Sequence, residues 1–200
     1  MITLLAAAIA YLLGAIPFGY LLVKWTTGRD VRSGGSGNIG ATNVLRTSGR
    51  AAGIATLLLD IGKGYLAVWI ADRLSDHQAM TMCVATLAVM AGHAYPVFLR
   101  FQGGKAVASF VGAFLCLTPV ALGAVLVVFV VVVAWTRFIS MGSVVSAATF
   151  PLAVWLMYKD LTMLTTAVIA GAFIIYKHIS NIQRLHSGSE SVFTFGARKS

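Results

Sequence analysis

Seven stretches of the chain are too apolar to face water, and polar, mostly basic connections separate them. A helix that crosses the roughly 30 Å hydrocarbon core of a bilayer needs about 20 largely apolar residues, within a range of roughly 17 to 25. Inside that core each backbone N–H and C=O must be satisfied within the protein, which favours a helix. Ile2–Val23, Ala79–Leu99, Ile139–Tyr158 and Leu161–Ser180 have this length, and Ala51–Ala71 has it with Asp60 and Lys63 inside. Ala106–Thr118 is only 13 residues, about 20 Å of helix, and Val120–Trp135 is also short. The pattern predicts an all-α, polytopic membrane helical bundle formed by one domain over residues 1–200. It has seven transmembrane segments, or five full spans plus a short re-entrant pair between Lys105 and Arg137.

Composition agrees: 58% of residues are hydrophobic and 10% charged, where a soluble domain carries about 25% charged. The net charge of +9 therefore reads as topology and attraction to anionic headgroups, with no nucleic-acid partner expected. Of the 15 Lys and Arg residues, Lys24, Arg29, Arg32, Arg46, Arg50, Arg100, Lys105, Arg137, Lys177, Arg184, Arg198 and Lys199 fall on one side of the membrane. Arg73 and Lys159 fall on the other, and Lys63 within a helix. The bias puts the N-terminus outside and the C-terminus in the cytoplasm. The first segment has no basic residue before it and reads as a retained helix rather than a cleaved signal. Cys83 and Cys116 sit in apolar stretches without metal-ligand spacing, so no metal is expected.

Three polar stretches, all on the cytoplasmic side of this topology, carry the chemistry. The first runs from Ser33 to Arg46. Its glycines at 34, 35, 37 and 40 let backbone N–H groups converge on an anion. Ser36, Asn38, Thr42 and Asn43 add neutral hydrogen bonds, and Arg46 a two-pronged grip on phosphate. The second runs from Gly92 to Lys105. Gly103, Gly104 and Lys105 lead into the short fourth segment, a favourable place for phosphate. With Leu99 in place of the first glycine and Ala106 after the lysine, it is no Walker A loop, so nucleotide hydrolysis is not indicated. His93 reads equally as a ligand or a structural histidine. In the third, Lys177 to Glu190, a continuing helix would put Lys177, Asn181 and Arg184 on one face, with His178 beside Asn181. Asp60 and Lys63, three apart in an apolar helix, read as an ion pair or as support for the site. Ser143 lies near the cytoplasmic end of its segment.

Ser36–Arg46 (SGNIGATNVLR), Gly92–Ala108 (GHAYPVFLRFQGGKAVA) and Lys177–Glu190 (KHISNIQRLHSGSE) resemble the three signature blocks of the bacterial acyl-phosphate:glycerol-3-phosphate acyltransferase family, and LLLDIGKG at 57–64 also matches. The resemblance covers nearly the whole chain. It implies an enzyme of the bacterial inner membrane, with its site facing the cytoplasm and no cofactor. Such an enzyme moves a fatty acyl group from acyl phosphate to the 1-hydroxyl of sn-glycerol 3-phosphate, releasing lysophosphatidic acid and inorganic phosphate. Ser36, Arg46, Lys105, Ser143, His178 and Asn181 are its implied catalytic residues. Gly37, Asn38, Gly40, Thr42, Asn43, His93, Gly103, Gly104, Arg184 and Glu190 are implied to bind substrate. The implied partners are the two substrates and membrane lipid, with no obligatory protein partner.

An acyl phosphate is a mixed anhydride with an activated carbonyl, so the protein has mainly to position two anions and stabilise developing charge. The proton of the attacking hydroxyl can go to His178 or to a substrate phosphate, and the second route is favoured. The rival class is a membrane transporter or binding protein for an organic phosphate. It predicts a polar path to the other face and repeated broken helices; the connections at 72–78 and 159–160 are short and no repeat is visible.

Overall fold

Proline and glycine decide where the apolar stretches break and where they touch. The first stretch is two helices, α1 (Ile2–Ala15) and α2 (Phe18–Thr27). Pro17 has no N–H to donate, and its ring holds Ile16 in extended backbone (ψ 113°). The computed structural model describes residues 1–193. It continues with α3 (Ala41–Ser48), α4 (Arg50–Leu74), α5 (Ala79–Ala94), α6 (Val107–Leu117), α7 (Pro119–Thr136), α8 (Ile139–Tyr158), α9 (Leu161–Lys177) and α10 (Ile179–His186). Short 3-10 turns cover Val31–Ser33 and Val97–Leu99. No strand occurs among the described residues. Arg198 and Lys199 of the charge count lie outside them.

Among the described residues five helical stretches are long and apolar enough to cross a membrane: Ile2–Thr27, Arg50–Leu74, Ala79–Leu99, Pro119–Thr136 and Ile139–Tyr158. A sixth is available if α9 and α10, bent by 55°, count as one. The two short segments expected between Lys105 and Arg137 also differ from the reading. The segment read as Val120–Trp135 is 18 residues, Pro119–Thr136, and long enough alone; Pro119 in its first turn starts it early, where no N–H is required. The segment before it shrinks to the 11 residues of α6, about 16 Å of helix.

The chain divides into two compact units, Met1–Leu117 and a second that begins at Thr118. In the first, α1 packs on α5 and α4, and α4 also holds α3 and α6. Small residues allow these backbones to approach closely. A Cβ on Gly14 would strike the carbonyl of Val89, and one on Gly92 that of Tyr11, across α1 and α5. Gly64 and Gly112 do the same for α4 and α6. In the second unit α8 packs between α7 and α9, with Gly171 against the Ala147 carbonyl. Asp160 caps α9 by accepting from Met163 N at 2.8 Å. On α7, Val125 is buried while Val127, Val130 and Val131 are exposed, so the valine run presents an apolar outer face.

Candidate active site

In the first block one buried side chain organises the glycine loop. Asn43, at the start of α3, donates its amide to the carbonyls of Asn38 (2.8 Å), Gly34 (3.1 Å) and Val31 (3.2 Å). Its Oδ1 accepts from Ser36 N at 2.8 Å. The chain can wrap so tightly only because Gly35 and Gly37 take left-handed backbone (φ 59° and 69°). A Cβ on Gly35 would collide with Asn43 Oδ1. Asn38 Oδ1 accepts from Gly40 N at 2.8 Å just before α3. Ser36, Gly37 and Arg46 are left exposed, with Asn38, Gly40 and Thr42 half-buried. Arg32 is committed elsewhere: its guanidinium binds Asp30 (2.7 Å) and lies over Tyr20.

The second block rests on the same foundation. After α5, Pro96 starts the turn Val97–Leu99, and Leu99 is buried in a cluster with Val23, Val31, Ile39 and Val44 beneath the first loop. The chain then returns through Arg100 and Phe101, both in left-handed backbone. Gly104 N donates to the carbonyl of His93 at 3.0 Å. Half-buried Lys105 follows. Ala106, with φ 63°, is a non-glycine residue in a region that costs about 1–2 kcal/mol, and α6 starts beside it. The turn at Val97–Leu99, which leads to Gly103–Lys105, thus shares one apolar cluster with the first loop.

The second unit carries the third block. The expected continuing helix is broken: α9 ends at Lys177, α10 starts at Ile179, and the chain bends by 55° between them. Lys177 therefore does not share one helix face with Asn181 and Arg184. No proline or glycine causes the bend. Instead, His178 N donates to the Ile175 carbonyl at 3.0 Å, while its own carbonyl accepts from Asn181 and Ile182 N. The His178 ring is buried, and its Nδ1 lies 2.8 Å from the carbonyl of Ile174. A carbonyl only accepts, so Nδ1 carries a proton and donates it to Ile174. Ser143, also buried, donates to the Ile139 carbonyl at 2.9 Å.

Glu190 ties this block together. Its carboxylate accepts from Asn181 Nδ2 (2.6 Å), Ser140 Oγ (2.7 Å) and Arg184 Nε (2.8 Å). Burial would push the carboxyl up; the bonds from Asn181, Ser140 and Arg184, with the Arg184 charge, outweigh it and hold Glu190 below its ordinary value. Ser140 was not among the expected residues. Its signal was its place one helical turn before Ser143, on the same face.

A profile of the family described as glycerol-3-phosphate acyltransferase matches residues 4–188. The glycerol-3-phosphate acyltransferase of Desulforamulus reducens is 44% identical over 95% of this chain and 94% of its own. That of Trichlorobacter lovleyi is 48% identical over 92% and 94%. The chain belongs to the glycerol-3-phosphate acyltransferase family. The fold agrees: a crystal structure of PlsY, an integral membrane glycerol 3-phosphate acyltransferase in its glycerol 3-phosphate form, is similar with a TM-score of 0.91. The identity is 36%, with 96% of each chain covered. The lysophosphatidic acid form is similar with a TM-score of 0.87 and 34% identity. With that neighbour, the five apolar stretches make the chain a multi-pass membrane protein.

Proposed function

We propose that this acyltransferase takes its acyl group from a fatty acyl phosphate and delivers it to the 1-hydroxyl of sn-glycerol 3-phosphate. The hydroxyl oxygen attacks the acyl carbonyl, the bond from carbonyl carbon to phosphate oxygen breaks, and lysophosphatidic acid and inorganic phosphate form. Family membership supports the acyl transfer. The observation that carries the anion-binding assignment is Leu99 in the cluster under the first loop: it sets the turn that leads to Gly103–Lys105 on the same apolar base as the first glycine loop. Ser36, Gly37, Asn38, Gly40, Thr42 and Arg46 serve one phosphate, with Asn43 shaping their loop. Gly103, Gly104 and Lys105 admit the phosphate of glycerol 3-phosphate.

Ser143, His178 and Asn181 handle the reacting carbonyl and hydroxyl, with Arg184 and Glu190 holding Asn181 in place. His178 acts by hydrogen bonding, and the substrate phosphate accepts the hydroxyl proton. With a second pKa near 6, that phosphate is basic enough near neutrality. Topologically, seven segments with the N-terminus outside place the three blocks on the cytoplasmic face of the bacterial inner membrane. The excess of Lys and Arg in the corresponding connections supports this orientation.

A donor comparison tests the reading. Purified protein supplied with glycerol 3-phosphate should form lysophosphatidic acid from palmitoyl phosphate and not from palmitoyl-CoA or palmitoyl-acyl carrier protein. Equal rates with the thioesters would overturn the donor assignment.

A further inference from the structure

Midway along α4 an ion pair is almost completely shielded. Asp60 and Lys63 side chains are each 3% exposed, and Lys63 Nζ lies 2.7 Å from Asp60 Oδ1. Lys63 also donates to the carbonyl of Ile16 at 2.8 Å, at the break that Pro17 makes between α1 and α2. Burying two charges is expensive, and apolar residues of similar volume often hold a fold equally well. What else the pair touches therefore matters.

It touches the second block. Asp60 Oδ1 lies 3.6 Å from Nδ1 of His93, whose side chain is 4% exposed. On its other side the same residue is clasped by the glycine turn. Gly104 N donates to the His93 carbonyl at 3.0 Å, and a Cβ on Gly104 would collide with His93 Nε2. A Cβ on Gly103 would strike the His93 carbonyl and the Pro96 ring. The next residue is Lys105, and after it stands Ala106 in strained backbone. Such strain persists where the surroundings over-determine it. Here they do, because Gly64 and Gly112 press α6 against α4 next to the pair.

We infer that Asp60 and His93 are positioning residues for Lys105. The carboxylate of Asp60 orients the imidazole. The imidazole and its own carbonyl set the path of Gly103 and Gly104, and that path aims the Lys105 ammonium at phosphate. The inference rests on the assignment of the Gly103–Lys105 turn to glycerol 3-phosphate. It gives His93 a place behind the turn, one step from substrate.

A substitution cycle tests it, read as separate KM values for glycerol 3-phosphate and acyl phosphate. Gly104→Ala and His93→Ala should each raise the KM for glycerol 3-phosphate by about tenfold or more, with the KM for acyl phosphate unchanged. In the double variant the added methyl has the space the ring vacated. Its KM should stay within about threefold of the worse single variant, since contacting residues are not additive. Multiplication of the two effects would overturn the inference. A KM change confined to acyl phosphate, still non-multiplicative, would uphold the brace and reject the substrate assignment of the turn.

Asp60→Asn should raise the KM for glycerol 3-phosphate in protein of near-native Tm. Should it unfold by orphaning Lys63, Asp60→Asn/Lys63→Met removes both charges and is expected to fold with the raised KM. A wild-type KM in that folded variant would equally contradict the inference.

Discussion

Asn181 donates its side-chain amide to Glu190 at 2.6 Å, across nine residues and from helix to tail. Because Ser140 and Arg184 bond the same carboxylate, Glu190 fixes the end of α10 to α8. Glu190→Ala should cost about 2 kcal/mol of stability, the scale of hydrogen bonds to a charged group. Tm in detergent should fall and activity with it; an unchanged Tm would contradict the tie.

The same group gives a pH dependence. Its folded-state pKa lies below its ordinary value, so its contribution is complete above about pH 4.3, the free glutamate value. That contribution is lost as pH falls through the lowered value. The Tm gap between wild type and Glu190→Gln should be constant near neutrality and close in acid. A gap that widened on acidification would show the opposite sign.

Asn43 should behave as a structural centre of the first loop. Asn43→Ala leaves the carbonyls of Val31, Gly34 and Asn38 without its amide, at about 1–3 kcal/mol for each group left buried and unpaired. Gly35→Ala should copy it, since its Cβ collides with Asn43 Oδ1 from left-handed backbone. Both should speed limited proteolysis between 33 and 40. Protection equal to wild type in both would separate Asn43 from the loop.

Much of this was legible in the sequence, for identifiable reasons. The bounds of α8, Ile139–Tyr158, match the reading, because apolar length and the flanking Arg137 and Lys159 mark them. The three polar blocks stood out because glycine, asparagine and arginine are uncommon together beside apolar helices. The eight residues of α3 are too few for a periodic signal, and Pro17 lies inside an otherwise continuous apolar run. The bend at His178 carries no breaker residue; it comes from hydrogen bonds between His178 and its neighbours, which no local pattern encodes. The contact of His93 with Asp60, 33 positions away, leaves no local pattern either, and only packing on α4 reveals it.

Topology can be read by labelling in a background without Cys83 and Cys116. Asp76 and Ser187 are exposed, whereas Ser75 is buried with its hydroxyl on the Ala71 carbonyl and would label poorly. In intact cells an impermeant maleimide should react with Asp76→Cys and not with Ser187→Cys. The reverse would invert the proposed orientation.

His178 donates Nδ1–H to the Ile174 carbonyl, and glutamine can replace that N–H. His178→Gln should therefore keep measurable activity, falling by less than the roughly 10²–10⁴-fold that follows loss of a general base. A loss at the top of that range, with normal binding of both substrates, would make His178 the base.

The most direct test of the central claim is ³¹P NMR of purified protein with palmitoyl phosphate and sn-glycerol 3-phosphate, followed to completion. The expected result is one lysophosphatidic acid and one inorganic phosphate per acyl phosphate consumed, with no consumption when glycerol 3-phosphate is omitted. Arg46→Ala and Lys105→Ala should each lower kcat/KM by about 2–4 kcal/mol, roughly 30- to 900-fold, by leaving a phosphate partly unpaired. Phosphate release without lysophosphatidic acid, or wild-type turnover in both variants, would contradict the account.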